Sequence, residues 1–185
     1  MRIMQLLIAL LLPLFVLAQN DHQTIQLENG SSFLVGKIDA DILASGDNST
    51  WYTKNQTDYK VDAAALNSNK KALHSHKILV FMGTWCGDSK REVPRFIKIL
   101  EAMDFPMANL KIVALDRRKE HYKKSPTGEE WGLNIIKVPT FIFYRNGKEL
   151  NRIVESPIES LEQDIAKIVS DKSYTPNYTK TLHSD

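Results

Sequence analysis

The residue best suited to covalent chemistry in this chain is Cys86, the only cysteine in the sequence. A cysteine thiolate is a strong nucleophile, and it forms more readily at the start of a helix. Cys86 follows the wholly apolar run 78–82 and opens a segment with helical periodicity. The sequence therefore predicts a reactive sulfur between Trp85 and Gly87, where a buried strand gives way to a helix.

The neighbours of Cys86 act on its ionisation in opposite directions. The helix N-terminus, the Ser89 hydroxyl one turn along and the charges of Lys90 and Arg91 all favour the thiolate. The Asp88 carboxylate opposes it, by about 3 kcal/mol for a separation of about 6 Å and an effective dielectric constant of about 20. This penalty matches the favourable sum, so the sequence leaves the net direction open. An inert, buried Cys86 is the less favoured alternative, because the residue lies outside the apolar stripe of the helix.

Two helices and two strands are predicted around Cys86. A helix is expected over residues 61–73 and a strand over 78–82, and a second apolar strand over 110–115 ends at Asp116. The helix opened by Cys86 has one apolar stripe, formed by Val93, Phe96, Ile97, Leu100 and Met103. Pro94 lies inside that helix, where it removes a backbone donor and predicts a kink.

The second half of the chain predicts a loop, a hairpin and a final helix. Residues 117–124 are basic and are read as a solvated loop, with an anion or partner site as the alternative. Asn146-Gly147 between apolar runs is a strong hairpin signal. The residues 156–159 have the pattern of a capping box, and the helix that it starts is expected to bury Ile158, Leu161, Ile165 and Ile168. Alternating strands and helices followed by a hairpin predict an α/β fold, with a mixed sheet and helices on both faces.

The motif Trp85-Cys86-Gly87-x-x-Lys90, with Val138-Pro139-Thr140 further on, resembles the thioredoxin family. Pro94 and the hairpin turn also match that family's pattern. The resemblance implies a thioredoxin-like three-layer sandwich in which Pro139 is cis and faces Cys86. It further implies that the residues around the thiol contact substrate, namely Trp85, Gly87, Asp88, Val138, Pro139 and Thr140.

Three positions depart from the family pattern. Ser89 stands where the family has its resolving cysteine, Asp88 replaces the intervening proline, and Val80 replaces the buried carboxylate that assists proton transfer. An attacking thiol without a resolving one implies exchange through a mixed disulfide at Cys86, which an external thiol must release. Ser89 is then expected to hydrogen-bond the thiolate. The alternatives are a peptide-binding or chaperone module without turnover, which would make the protein no enzyme, and a Cys86 that joins two copies of the chain.

The remaining expectations concern organisation and partners. Residues 1–18 have the features of a cleaved signal peptide, so we expect an exported protein, periplasmic or secreted, with no membrane span after cleavage. Residues 19–60 are assigned to an N-terminal extension, 61–171 to the thioredoxin-like domain and 172–185 to a loose C-terminal tail. The net charge of +2 gives no reason to expect nucleic acid. Neither a metal nor a cofactor is expected, and the predicted partners are thiol or disulfide proteins and possibly a small thiol.

Overall fold

A computed structural model of the chain describes residues 21–179. The strands are β1 His22–Gln26, β2 Ser32–Ile38, β3 Lys77–Met82, β4 Leu110–Ala114, β5 Thr140–Arg145 and β6 Lys148–Val154. The α-helices are α1 Ala40–Leu43, α2 Ser49–Asp58, α3 Ala63–Asn67, α4 Lys70–His74, α5 Gly87–Ala102 and α6 Leu161–Val169. The predicted signal peptide, residues 1–18, lies outside the described residues. No helix among residues 21–179 is long and apolar enough to span a membrane.

The strands form one six-stranded sheet in the order β1-β2-β4-β3-β5-β6. β3 and β4 are parallel, and the other neighbouring pairs are antiparallel. The predicted mixed sheet is confirmed. The hairpin between β5 and β6 turns at Asn146 and Gly147, which both have positive φ (53° and 78°), as expected of an Asn-Gly turn.

The larger hydrophobic cluster covers one face of the sheet, and every α-helix contributes a buried side chain to it. The stripe expected on α5 is confirmed, since all five of its members are buried there. The ring of Phe96 lies 4.4 Å from the ring of Phe141 on β5 and 6.1 Å from that of Phe143. This packing fixes α5, and with it the position of Cys86, against the centre of the sheet.

The opposite face of the sheet carries a smaller cluster, formed by Phe81, Val113, Leu115, Val138 and Ile142. No α-helix of the described chain contributes to it. Trp85 and partly buried residues of the segment 117–137 pack against this cluster instead. Helices were expected on both faces of the sheet, but no α-helix of the described chain covers the face with the smaller cluster. Because 117–137 has no apolar helical stripe, it forms only one 3₁₀ turn, Lys119–His121.

Residues 21–60, which belong to the segment assigned from sequence to an N-terminal extension, supply part of the sheet. Its strand β2 pairs with β4 from Gly36 to Ile38, and β1 pairs with β2 along its whole length. The Leu34 N–H also donates to the Thr84 hydroxyl at 2.9 Å, which ties β2 to the loop before Cys86. The boundary placed at residue 61 thus does not mark a structural division.

Two helix predictions need correction. The helix expected over residues 61–73 is two short helices, because Ser68 and Asn69 between them are poor helix formers that favour turns. The final helix begins at Leu161, with Ser160 as N-cap, and not at the predicted capping box over 156–159. The Asp164 carboxylate accepts from the N–H groups of Ile158 and Glu159 and holds them in a turn before the helix. Ile158, predicted to be buried, is therefore 49% exposed.

The prediction of a loose C-terminal tail is wrong for residues 172–179. The Tyr174 hydroxyl donates to the buried Asp164 at 2.9 Å, and the Asn151 side chain donates to the Tyr174 carbonyl at 3.0 Å. Further along, the Asn177 side chain donates to the Ser156 carbonyl at 3.0 Å. Isolated polar side chains fix this segment, so the lack of apolar periodicity hid it.

The N-cap of α6 provides a direct test of the corrected helix start. Ser160→Ala removes the hydroxyl that accepts from the Gln163 N–H at 3.1 Å. We expect it to lower the free energy of unfolding by about 1 kcal/mol, the usual cost of losing such a cap. Ser156→Ala is the matched control and should change it by less than about 0.5 kcal/mol. Urea unfolding measures both, and a larger loss for Ser156→Ala would contradict the assignment.

Candidate thiol site

Cys86 lies between the end of β3 and the first residue of α5, and it is the N-cap residue of that helix. Its backbone is extended, with φ −93° and ψ 128°, so the chain turns into the helix directly after the sulfur-bearing residue. The side chain is partly exposed, and its Sγ donates to the carbonyl oxygen of Val138 at 3.3 Å. The sulfur is therefore accessible to another molecule and close to the positive end of a sixteen-residue helix.

The segment facing Cys86 contains a cis peptide bond between Val138 and Pro139, as the family resemblance implied. The turn is fixed on both sides. The Thr140 hydroxyl donates to the Lys137 carbonyl at 2.7 Å, and the Glu155 N–H donates to the Pro139 carbonyl at 2.7 Å. Val138, Pro139 and Thr140 are buried, so their side chains serve mainly to hold the segment in place.

Ser89, at the position of the resolving cysteine, is fully buried. Its Oγ accepts from the Gly83 N–H at 3.1 Å, a bond that ties the first turn of α5 to the end of β3. In this thiol form the recorded partner of Cys86 Sγ is the Val138 carbonyl. The bond from Ser89 to a Cys86 thiolate stays a prediction. Gly87 is exposed, and a Cβ atom placed there would have nothing within 4 Å.

Trp85 is half-buried and folds back over the end of β3. Its Nε1 donates to the Leu115 carbonyl at 2.8 Å, and its ring lies directly over Gly83. The indole joins the smaller hydrophobic cluster and fixes the loop that leads into Cys86.

The charged residues that follow Cys86 are largely engaged with other groups. Asp88 is paired with Arg91 at 2.8 Å, which offsets the repulsion that its carboxylate exerts on a thiolate. Arg91 also bonds the buried Glu92 at 2.5 Å, and its bond to Glu92 is the main cause of its raised pKa. Lys90 lies over the Trp51 ring at 5.8 Å, towards α2. The two cations expected to help the sulfur are thus held mainly by other partners.

The buried carboxylate of the family has no substitute in β3. Val80 occupies that position and is buried in the larger cluster. A buried carboxylate does occur after β4, at Asp116, but Arg118 binds both of its oxygens at 2.7–3.2 Å. That ion pair organises the loop.

Sequence reasoning missed two residues of this loop. Tyr122 is exposed, and its ring lies 6.3 Å from that of Trp85, the residue before Cys86. Lys123 is half-buried, and its Nζ donates to the Ile136 carbonyl, two residues before Val138. Burial and, next, the charge of Lys137 lower the pKa of Lys123. Their position depends on how the loop closes, so the basic run of residues gave no signal for them.

Together these features form a thioredoxin-type thiol site: a cysteine at a helix N-terminus that faces a cis-proline loop beside the central strands of a mixed sheet. A family model with the description Thioredoxin matches residues 37–167. This chain belongs to the thioredoxin family. The match begins inside β2, well before the boundary at residue 61 that the sequence motifs suggested.

Relatives of known name support the same membership. Thioredoxin H-type 1 of Nicotiana tabacum is 31% identical over 100 residues, which are 53% of this chain and 71% of that protein. The TPR repeat-containing thioredoxin TDX of Arabidopsis thaliana is 34% identical over 95 residues, but these span only 22% of its length. Mitochondrial thioredoxin 3 of Saccharomyces cerevisiae, a solved structure, shares 21% identity over 48% of this chain and 76% of its own, with a TM-score of 0.31. The family model and the match to Thioredoxin H-type 1 show that the chain is a thioredoxin-like protein, which is consistent with thiol–disulfide redox chemistry.

The contact between Gly83 and Trp85 is a testable support of the site. In Gly83→Ala the new Cβ would lie 2.6 Å from Cε2 of the indole. The indole cannot rotate away without losing its bond to Leu115, so we expect a loss of about 1–3 kcal/mol in the free energy of unfolding, as for other overpacked sites.

The matched control is Gly87→Ala, which adds the same methyl group to open space in the first turn of α5. It should leave stability unchanged or raise it by up to about 1 kcal/mol. Urea unfolding measures both variants. Equal free energies of unfolding for the two variants would mean that the position of the Trp85 indole does not require a glycine at residue 83.

Proposed function

We propose that this protein carries out thiol–disulfide exchange through the single thiol of Cys86. The observation that carries the proposal is the position of that thiol: partly exposed, at the N-terminus of α5, and 3.3 Å from the Val138 carbonyl beside a cis-proline. The thiolate is the nucleophilic form of cysteine, and a helix N-terminus favours its formation. Family membership supports the same chemistry.

The exchange has two balanced steps. The Cys86 thiolate attacks one sulfur of a substrate disulfide, so a mixed disulfide forms and the other substrate sulfur leaves as a thiolate. A second thiolate then attacks the mixed disulfide and frees Cys86. If that thiolate belongs to the same substrate, the result is isomerisation. If it belongs to a small thiol, its sulfur ends in a new mixed disulfide, and a further thiol completes the reduction.

The second thiolate must come from outside the chain. Ser89 occupies the position from which a resolving cysteine would act, and its hydroxyl cannot displace a thiolate from sulfur under ordinary conditions. The substrates in this proposal are disulfide or thiol proteins, with a small thiol such as glutathione as the releasing partner. The site side chains proposed to contact them are Trp85 and Asp88, with the backbone of Gly87 and of the Val138-Pro139-Thr140 segment.

We further propose that the protein acts after export, in the periplasm or outside the cell. The support is the apolar run in residues 1–18, preceded by Arg2. An oxidising compartment supplies the disulfides on which such a site would act. N-terminal sequencing of the protein from the exported fraction should find Gln19 as the first residue. Recovery of the uncleaved chain from the cytoplasm would contradict the proposal.

The central test compares wild type with Cys86→Ser on a scrambled disulfide protein in a glutathione buffer. Wild type should accelerate recovery of the native pairing and give a glutathione adduct on Cys86 by mass spectrometry. Cys86→Ser should lose both. If partners trapped from the exported fraction persist in Cys86→Ser and wild type does not speed recovery, the protein is a binding module without turnover.

Ser89→Cys tests whether the scaffold lacks only the resolving thiol. The variant should form an internal disulfide with Cys86 and should reduce a substrate disulfide without leaving a stable mixed disulfide. Since Ser89 is fully buried, the new sulfur also loses the bond from Gly83, and a loss of about 1–3 kcal/mol in stability is expected. A stably folded variant that still accumulates mixed disulfide would show that the site cannot run a dithiol cycle.

A further inference from the structure

We propose that Lys123 is a positioning residue for the Cys86 sulfur, and that its ammonium group stabilises the thiolate. This inference concerns how the proposed exchange site is made reactive, so it rests on the proposed function. Two observations carry it. Lys123 and Cys86 bind the same short backbone segment, and backbone hydrogen bonds fix the loop that holds Lys123.

The shared segment is residues 136–138. Lys123 Nζ donates to the Ile136 carbonyl, and Cys86 Sγ donates to the Val138 carbonyl at 3.3 Å. Two carbonyl groups two residues apart are separated by at most about 7 Å. The ammonium and the sulfur therefore lie on neighbouring parts of one segment. Burial and the charge of Lys137 lower the pKa of Lys123, while Glu155 and, to a smaller extent, Cys86 act to raise it.

The loop that carries Lys123 is closed by backbone hydrogen bonds. The Lys123 N–H donates to the Asp116 carbonyl at 2.9 Å, and the Asp116 N–H donates to the Lys124 carbonyl at 3.0 Å. These bonds attach the loop to the chain just after β4. Lys123 itself has φ +56°, a conformation that costs a non-glycine residue about 1 kcal/mol. The loop therefore directs this lysine inwards, while Lys124 is exposed.

The ammonium group of Lys123 also lies near an aromatic ring. Its Nζ lies 5.0 Å from the centre of the Tyr122 ring, and that ring lies 6.3 Å from the Trp85 ring. A partly buried charge is screened less by solvent than an exposed one. Lys123 can therefore act on the sulfur more strongly than an exposed lysine at the same distance would.

Other charges near the pair act less directly. Lys137 is paired with Glu155 at 3.2 Å, so the charges of these two residues offset each other. Glu155 also accepts a hydrogen bond from the Tyr178 hydroxyl. On α5, Asp88 is paired with Arg91. Among these groups, Lys123 is the cation whose recorded bond is to an uncharged carbonyl.

The test is the pH dependence of Cys86 alkylation by iodoacetamide, a neutral reagent, in the full-length protein between pH 5 and 9. Lys123→Gln keeps a hydrogen-bond donor and removes the charge. It should lower the rate at pH 7 by about three- to tenfold and move the pH–rate profile to higher pH, because less thiolate is present. The ultraviolet absorbance of the thiolate should move in the same direction, and Lys123→Arg should stay within about twofold of wild type.

Lys124→Gln is the matched control, because it removes the same charge from the exposed neighbour. It should leave the profile unchanged. A profile for Lys123→Gln that equals wild type, or an equal loss in Lys124→Gln, would overturn the proposal. If Lys123→Gln does not fold, Lys123→Met is measured in its place. Alkylation needs no disulfide substrate, so a protein that fails the isomerisation assay can still show the Lys123 effect, and the two failures are distinguishable.

Discussion

The site depends on the contact between the Cys86 sulfur and the Val138 carbonyl, which joins two segments far apart in the chain. That contact exists because β3 and β5 are neighbours in the sheet, paired in antiparallel register with Phe81 opposite Thr140. Each strand carries half of the site at this end: β3 leads into Cys86, and the cis-proline segment leads into β5. A shift of one residue in the register would turn every side chain of one strand to the opposite face and separate the two halves.

The burial of the central strands keeps this register fixed. Val80 and Phe141 face the larger cluster and Phe81 and Ile142 the smaller one, so a slip would expose apolar side chains on both faces. The chain has one cysteine, so no internal disulfide can stabilise it, and packing must hold the site together. The Cys86 sulfur is nevertheless partly exposed, because α5 begins only after Cys86.

The sequence predicted the parts of the site that follow from local rules. The apolar runs located β3, β4 and β5, the periodicity located α5, and the Asn-Gly pair located the hairpin. It failed where a single polar side chain overrides a local pattern. Asp164 holds the residues after Ser156 in a turn, so the N-cap of α6 is Ser160 and not Ser156. It also helps to hold the C-terminal segment through Tyr174. The role of β2 was hidden because its pairing with β4 joins residues far apart in sequence.

The departures from the family pattern change the charge around Cys86 in opposite directions. Val80 in place of a buried carboxylate removes a negative charge, whereas Asp88 in place of a proline adds one, which its pairing with Arg91 offsets. The first change reduces the repulsion on a thiolate and the ion pair limits the effect of the second, while the Lys123 ammonium binds the Ile136 carbonyl, two residues before Val138. A site that lacks a resolving thiol needs no internal base to deprotonate one. In the exchange proposed for Cys86, the site needs a stable thiolate both to attack and to leave.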